Sequence, residues 1–236
     1  MVVSSMSYEE LLNEVTQDRD NVFGWVKHQK KVIERVARKQ TKFPCSYFMD
    51  YTSVRKNRWL VCVRIFRRQI HGGGAGIQPL MLQKCPKGYA VHSCVLDRYL
   101  EKYVMTVLPH VFDQYAGRMN VNKTGIDLIK HFFARNVQSE NDFTPECAGR
   151  KARERETIPI HMCTDEGVLM GEVISSEHVV LHTFVTYDMA TGRQKRCFNE
   201  RKSLLSDDVG RKHRDAWYGR DDNTEWHKIL EAYGIA

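Results

Sequence analysis

Apolar residues near the start of the chain recur at intervals of three, four and seven: Leu11, Leu12 and Val15, then Val22, Phe23, Val26, Ile33 and Val36. That spacing gathers them on one side of a helix and predicts helical structure from residue 7 to about 41. Ser7 stands where an N-cap is needed, and Glu9 and Glu10 fall in the first turn, where the helix dipole favours negative charge. The polar run QDRDN, 17–21, predicts a break and restart, so the region reads as two helical pieces closed off by Pro44.

The pattern then changes. RWLVCVRIFRRQI, 58–70, is rich in β-formers and too short between charges for a buried helix, which predicts a strand. HGGGAG, 71–76, reads as a hairpin loop; it lacks the lysine of a P-loop and is not a GxGxxG opening a helix. IQPLMLQK and GYAVHSCVL predict two more strands, joined by a turn at Pro86–Gly88. From Asp97 to 119 a broad apolar stripe (Tyr99, Leu100, Tyr103, Val104, Val107, Leu108, Val111, Phe112, Tyr115) predicts one long helix, kinked or restarted at Pro109. A second helix follows over GIDLIKHFFARN, with Thr124 as its cap and Asp127 completing a capping box.

The stretch 137–156 is charged and poor in apolar residues, as a mobile loop would be. TIPIHMC, GVLMGEVI and HVVLHTFVTYD, separated by short turns, predict an antiparallel meander. QKRCFNERKSLL reads as a short helix, a polar C-terminal tail begins near 206, and TEWHKILEAYGIA has the pattern of a terminal amphipathic helix. The fold class is therefore α+β: N-terminal helices, a central helix pair and a mainly antiparallel sheet, in a single domain of 236 residues.

Composition narrows the classes of function. Hydrophobic residues make up 42% and charged ones 28%, and no run approaches the roughly 18 apolar residues that cross a bilayer. With no basic and apolar leader at the start, the expectation is a cytoplasmic protein without a membrane partner. The seven cysteines are scattered and form no CxxC pair, as expected for reduced thiols rather than a zinc ribbon. The formal charge of +7 favours a polyanion, RNA first among intracellular candidates. Much of that charge is concentrated: Lys27, Lys30, Lys31, Arg35, Arg38, Lys39 and Lys42 face one acid, Glu34, which suits a phosphate-contacting helix face as well as a solvated one.

Candidate chemistry centres on PHVFDQYAGRMN, 109–120. On a helix, His110, Gln114 and Arg118 lean to one side, beside Asp113. A histidine moves protons near neutral pH, and an arginine holds phosphate by paired hydrogen bonds. Together they suffice for RNA cleavage without a metal. His131 on the next helix, or His182 with Thr183 or Thr186 at the end of the last strand, would supply the opposing acid or orienting groups. Period two places His178, Val180, His182, Phe184 and Thr186 on one strand face. Two histidines there could hold a metal with His161 or a carboxylate, although no HExxH motif is present. Beyond the strand, Tyr187, Arg193 and Gln194 decorate its end.

Helices first and a sheet carrying histidines last, over about 97–196, resembles the small toxin-type RNases of the barnase, EndoU, colicin and RelE group in architecture. The pattern His110, Phe112, Tyr115, Arg118, with Thr183, Phe184 and Thr186 downstream, resembles the signature of an uncharacterised bacterial family linked to mobile elements. Three functions follow as expectations. The first is a metal-independent RNA-cleaving or RNA-binding domain, using His110, Arg118, His182, Thr183 and Thr186, needing no cofactor and open to an inhibitory protein partner. The second is a non-catalytic interaction module working through the basic helix 27–42. The third is a metal-dependent hydrolase built on the strand histidines.

Overall fold

The computed structural model describes residues 2–3, 5–70, 75–95, 103–136, 139–142, 158–175 and 178–206. It is an α+β protein in which helices cover mainly antiparallel strands. The chain divides into two compact units, Met1–Cys94 and Val95–Ala236. Among the described residues no helix is long and apolar enough to cross a membrane.

The first unit begins with α1 (Tyr8–His28), capped reciprocally: Glu10 N donates to Ser7 Oγ at 3.2 Å and Ser7 N donates to Glu10 Oε2 at 2.7 Å. The break expected at 17–21 does not occur. Asp18 is fully buried there and accepts from Trp59 Nε1 at 2.8 Å and Asn57 Nδ2 at 2.9 Å, so a polar run inside the helix is consumed by tertiary bonds. Glu14, one turn earlier, is bonded by Arg55 and by Asn57 Nδ2 at 2.8 Å. The Arg55 guanidinium holds its carboxyl at about 2, well below the ordinary 4.5. The chain interrupts the helix only at Gln29, and α2 (Lys30–Lys39) follows.

Four antiparallel strands complete this unit in chain order: β1 (Cys45–Thr52), β2 (Arg58–Ile65), β3 (Ala75–Cys85) and β4 (Gly88–Val95). No periodicity singled out β1, whose residues are mostly half-buried; β2 ends at Ile65, short of the expected 70. Register puts Met49, Tyr51, Trp59 and Val61 on one face, and α1 lies on it, with Trp25 stacked on Tyr51 at 4.7 Å. His71 and the glycines at 72–74 lie outside the described residues.

In the second unit the long helix expected from 97 is replaced, within the described residues, by a strand and a shorter helix. β5 (Tyr103–Val107) is buried at every position and pairs in parallel with β9 (His178–Val185), Val104 opposite His178 and Val107 opposite Leu181. A short apolar run buried on both faces carries the same letters as a helix stripe, and a partner 70-odd residues away decides between them. Pro109 does not kink a helix but starts one, α3 (Pro109–Arg118), at the position where a missing N–H costs nothing. Next comes α4 (Gly125–Arg135); Thr124 is its N-cap by position, but its side chain makes no capping bond, so the capping box with Asp127 does not form.

The meander forms as the alternation predicts: β7 (Ile158–Thr164), β8 (Val168–Ser175) and β9 pair antiparallel in sequence. Within the segment read as a mobile loop, β6 (Ser139–Asp142) instead pairs with β7, and 143–157 lie outside the described residues. The short helix expected over QKRCFNERKSLL is α5 (Gly192–Ser206); the tail beyond 206 is likewise outside.

One irregularity controls which side chains share a face. Thr183 pairs with Met170, yet Leu181 pairs with Gly171, so His182 is an extra residue, a β-bulge. The bulge reverses the alternation after it. Val179 and Leu181 therefore share their face with Phe184, while His178 and Val180 share theirs with Thr183 and Val185. The single face expected to carry His178, His182 and Phe184 together is thus not formed. Phe184 meets Tyr115 (5.2 Å) and Phe132 (6.2 Å) edge-to-face, which places α3 and α4 over its side. On the opposite side Phe198 of α5 joins Cys163, Val168 and Ala190, with Met170 and Val185 against them.

Candidate functional site

Among the described residues, one candidate site stands in each unit, apart from the buried Glu14–Asp18 network that holds α1 to the sheet. In the first unit, α2 buries Ile33 and Ala37 and turns its cations outward: Lys30, Lys31, Arg35, Arg38 and Lys39 are all exposed, as is Lys27 at the end of α1. The helix periodicity that packs the apolar residues necessarily segregates the basic ones. Lys31, Arg35 and Arg38 stand four and three residues apart, along one line of the helix surface. Like charges at that spacing destabilise a helix by about 0.2–0.5 kcal/mol per pair, and Lys30 and Lys31 sit in the first turn, against the dipole. Only Glu34 offsets them within α2, pairing with Arg38 at 3.7 Å. Helix stability does not account for this arrangement.

In the second unit, a hydrogen-bonded chain joins α3, α4 and the turn after β7. Glu166 Oε1 accepts from Arg135 Nε at 2.7 Å, and Glu166 Oε2 accepts from the hydroxyl of Tyr115 at 2.6 Å. The same tyrosine oxygen lies 3.1 Å from His131 Nδ1. Since the hydroxyl gives its one proton to the carboxylate, the imidazole must donate from Nδ1, leaving the lone pair on Nε2. Burial, then the Lys123 charge, pushes the His131 pKa below its ordinary value and favours that neutral ring. Burial and the bond to Glu166 push the Tyr115 hydroxyl upward, so it remains a donor. Asn136 locks the turn by accepting from Thr164 Oγ1 at 2.7 Å and from Glu166 N at 3.1 Å.

The expected catalytic residues do not gather around this chain. His110 is exposed in the first turn of α3, and Arg118 ends the same helix eight residues on, roughly 12 Å along its axis. Arg118 is half-buried, and its Nη1 is buried with no partner among the described residues. Thr183 lies on the sheet face opposite to α3, because of the bulge, and His182 bonds Glu172 Oε1 on that opposite side at 2.8 Å. Thr186 follows β9, where its hydroxyl bonds the Asp188 carboxylate. His178 is buried with Nε2 2.8 Å from Thr106 Oγ1, and burial lowers its pKa to about 4. Among the described residues no three His, Cys, Asp or Glu side chains cluster as metal ligands, so the strand histidines form no ligand set there.

Sequence reasoning placed His131 only as a possible second histidine and read Glu166 as part of a turn. No spacing rule links Glu166 to Tyr115 or Arg135, which lie 51 and 31 residues away. Comparison of the chain with protein-family models, with curated proteins and with solved structures finds no match in any of the three.

Proposed function

We propose that the chain binds RNA through the cationic face of α2. The observation that carries this reading is the exposure of Lys27, Lys30, Lys31, Arg35, Arg38 and Lys39 over a buried apolar stripe, with a single acid in α2. Such a face neutralises phosphates and releases their counterions, which gives affinity without base recognition and a steep dependence on salt. Anisotropy titrations of a labelled mixed-sequence RNA at several salt concentrations test it. Each phosphate contact contributes about 0.7–0.9 to the slope of log affinity against log salt. The quadruple variant K30E/K31E/R35E/R38E should lose about 3 from that slope; binding with unchanged slope would sink the proposal.

One observation favours cleavage as a second reading: His131 presents Nε2 as a free base in a ring oriented by Tyr115 and Glu166, with Lys123 and Arg135 as neighbouring cations. Nε2 would take the proton of an RNA 2′-hydroxyl as that oxygen attacks phosphorus, the leaving 5′-oxygen being protonated by water. RNA cleavage in EDTA by the parent, but not by His131→Ala, is the expected result under this reading; cleavage by both proteins, or by neither, rejects it.

A further inference from the structure

We propose that α5 is a second RNA-contacting face, carried by the second unit of the chain. The proposal rests on the reading of α2 as an RNA contact and extends it to the second unit. α5 exposes Arg193, Lys195 and Arg196 within its first five residues and has no acid in its first turn. Two other helices obey the opposite rule. α1 opens with Glu9 and Glu10 and closes with Lys27 and His28; α4 opens with Asp127 and closes with Arg135. Cations at a helix start oppose the macrodipole, so their concentration there works against the helix itself. α2 and α5 share this reversal, and both present it to solvent.

The face has a fixed support. Phe198, almost fully buried, seats α5 on Cys163, Val168 and Ala190, which leaves Arg193, Lys195 and Arg196 on the outward side. Arg193 and Arg196, three residues apart, border a hollow of about 340 Å³ together with Cys197 and Glu200. Glu200, one turn further along, is the one acid of this lining. Lys202 does not belong to the face, because its ammonium sits 4.2 Å from the Tyr187 ring centroid. Two arginines one turn apart can each offer paired donors to phosphate oxygens.

The experiment uses the full chain, a labelled mixed-sequence RNA, and four variants: R193E/K195E/R196E, its neutral counterpart R193Q/K195Q/R196Q, K30E/K31E/R35E/R38E, and the two reversals combined. Circular dichroism checks that each folds. Reversal on α5 should weaken binding about tenfold or more and lower the salt slope by about 2, with the glutamine variant intermediate. Parental affinity and slope in both α5 variants would overturn this proposal and leave the α2 reading standing. Loss with the α5 variants alone would overturn the α2 reading, on which this proposal rests. Absence of RNA binding by the parent at low salt overturns both.

Discussion

Glu166 is the residue on which the polar chain of the second unit depends, and its removal has a calculable effect. In Glu166→Ala, the hydroxyl of Tyr115, a side chain with no exposure, loses its charged acceptor at 2.6 Å. A charge-assisted bond of that kind contributes about 1.5–3 kcal/mol. Arg135 is 62% exposed in its side chain, so its pairing adds less than about 1 kcal/mol. The 3.5 Å contact from Asn136 Nδ2 adds little. Together these give a loss of about 2–4 kcal/mol, and Glu166→Gln, which keeps a neutral acceptor, should lose about half as much. The same substitution has a chemical signature. Without the carboxylate, the Tyr115 hydroxyl is released to donate to His131 Nδ1, and the imidazole proton moves to Nε2. Urea unfolding reads the stability, and ¹⁵N chemical shifts of the His131 ring read the tautomer. A stability loss under about 0.5 kcal/mol, or an Nε2–H tautomer already present in the parent, would refute the reasoning.

Two further outcomes follow from buried groups and close backbone approach. The folded pKa of His178, about 4 against an ordinary 6.5, means that the unfolded chain binds a proton there which the folded chain rejects. Its contribution is complete above pH 6.5 and is lost as pH falls towards 4, by up to roughly 3 kcal/mol; Glu14 adds a second loss between 4.5 and about 2. Urea unfolding across this range should show stability decreasing with acid, and a flat profile from pH 6.5 to 4 would contradict the His178 assignment. In Gly171→Ala, the added Cβ would overlap the Val180 carbonyl oxygen and lie 2.8 Å from Leu181 Cα, both backbone atoms beside the bulge. Denaturant midpoints should fall by the equivalent of about 1–3 kcal/mol, the usual cost of overpacking; a neutral substitution would show that the bulge at His182 is misplaced.

His110, Arg118, His182, Thr183 and Thr186 stay apart for more than one reason: His110 and Arg118 stand at opposite ends of α3, Thr186 lies beyond β9, and the extra residue at His182 turns Thr183 to the face opposite α3. Bulges obey no local code strong enough to read here: Gly171, across the strand pair, is the one trace of it. The exposed cations of α2 were legible, because their exposure is implied once the apolar stripe is packed inward, but the basic helix expected over 27–42 is divided at Gln29, with Lys27 in α1 and Lys42 beyond α2.

What local chemistry alone can determine, the sequence did determine. The N-cap at Ser7, the start of α3 at Pro109, and the three-strand order of the meander from Ile158 to Val185 depend on neighbours within a few residues or on short runs of alternation between turns. The tertiary structure decided the rest. It kept α1 continuous by enclosing Asp18 against Trp59, 41 residues away, and turned 103–107 into a strand by pairing it with β9. It also brought Glu166 to Tyr115 and, through that hydroxyl, to His131. In each case the deciding partner is far along the chain, and its desolvation and hydrogen bonding outweigh the few tenths of a kcal/mol by which local preferences differ.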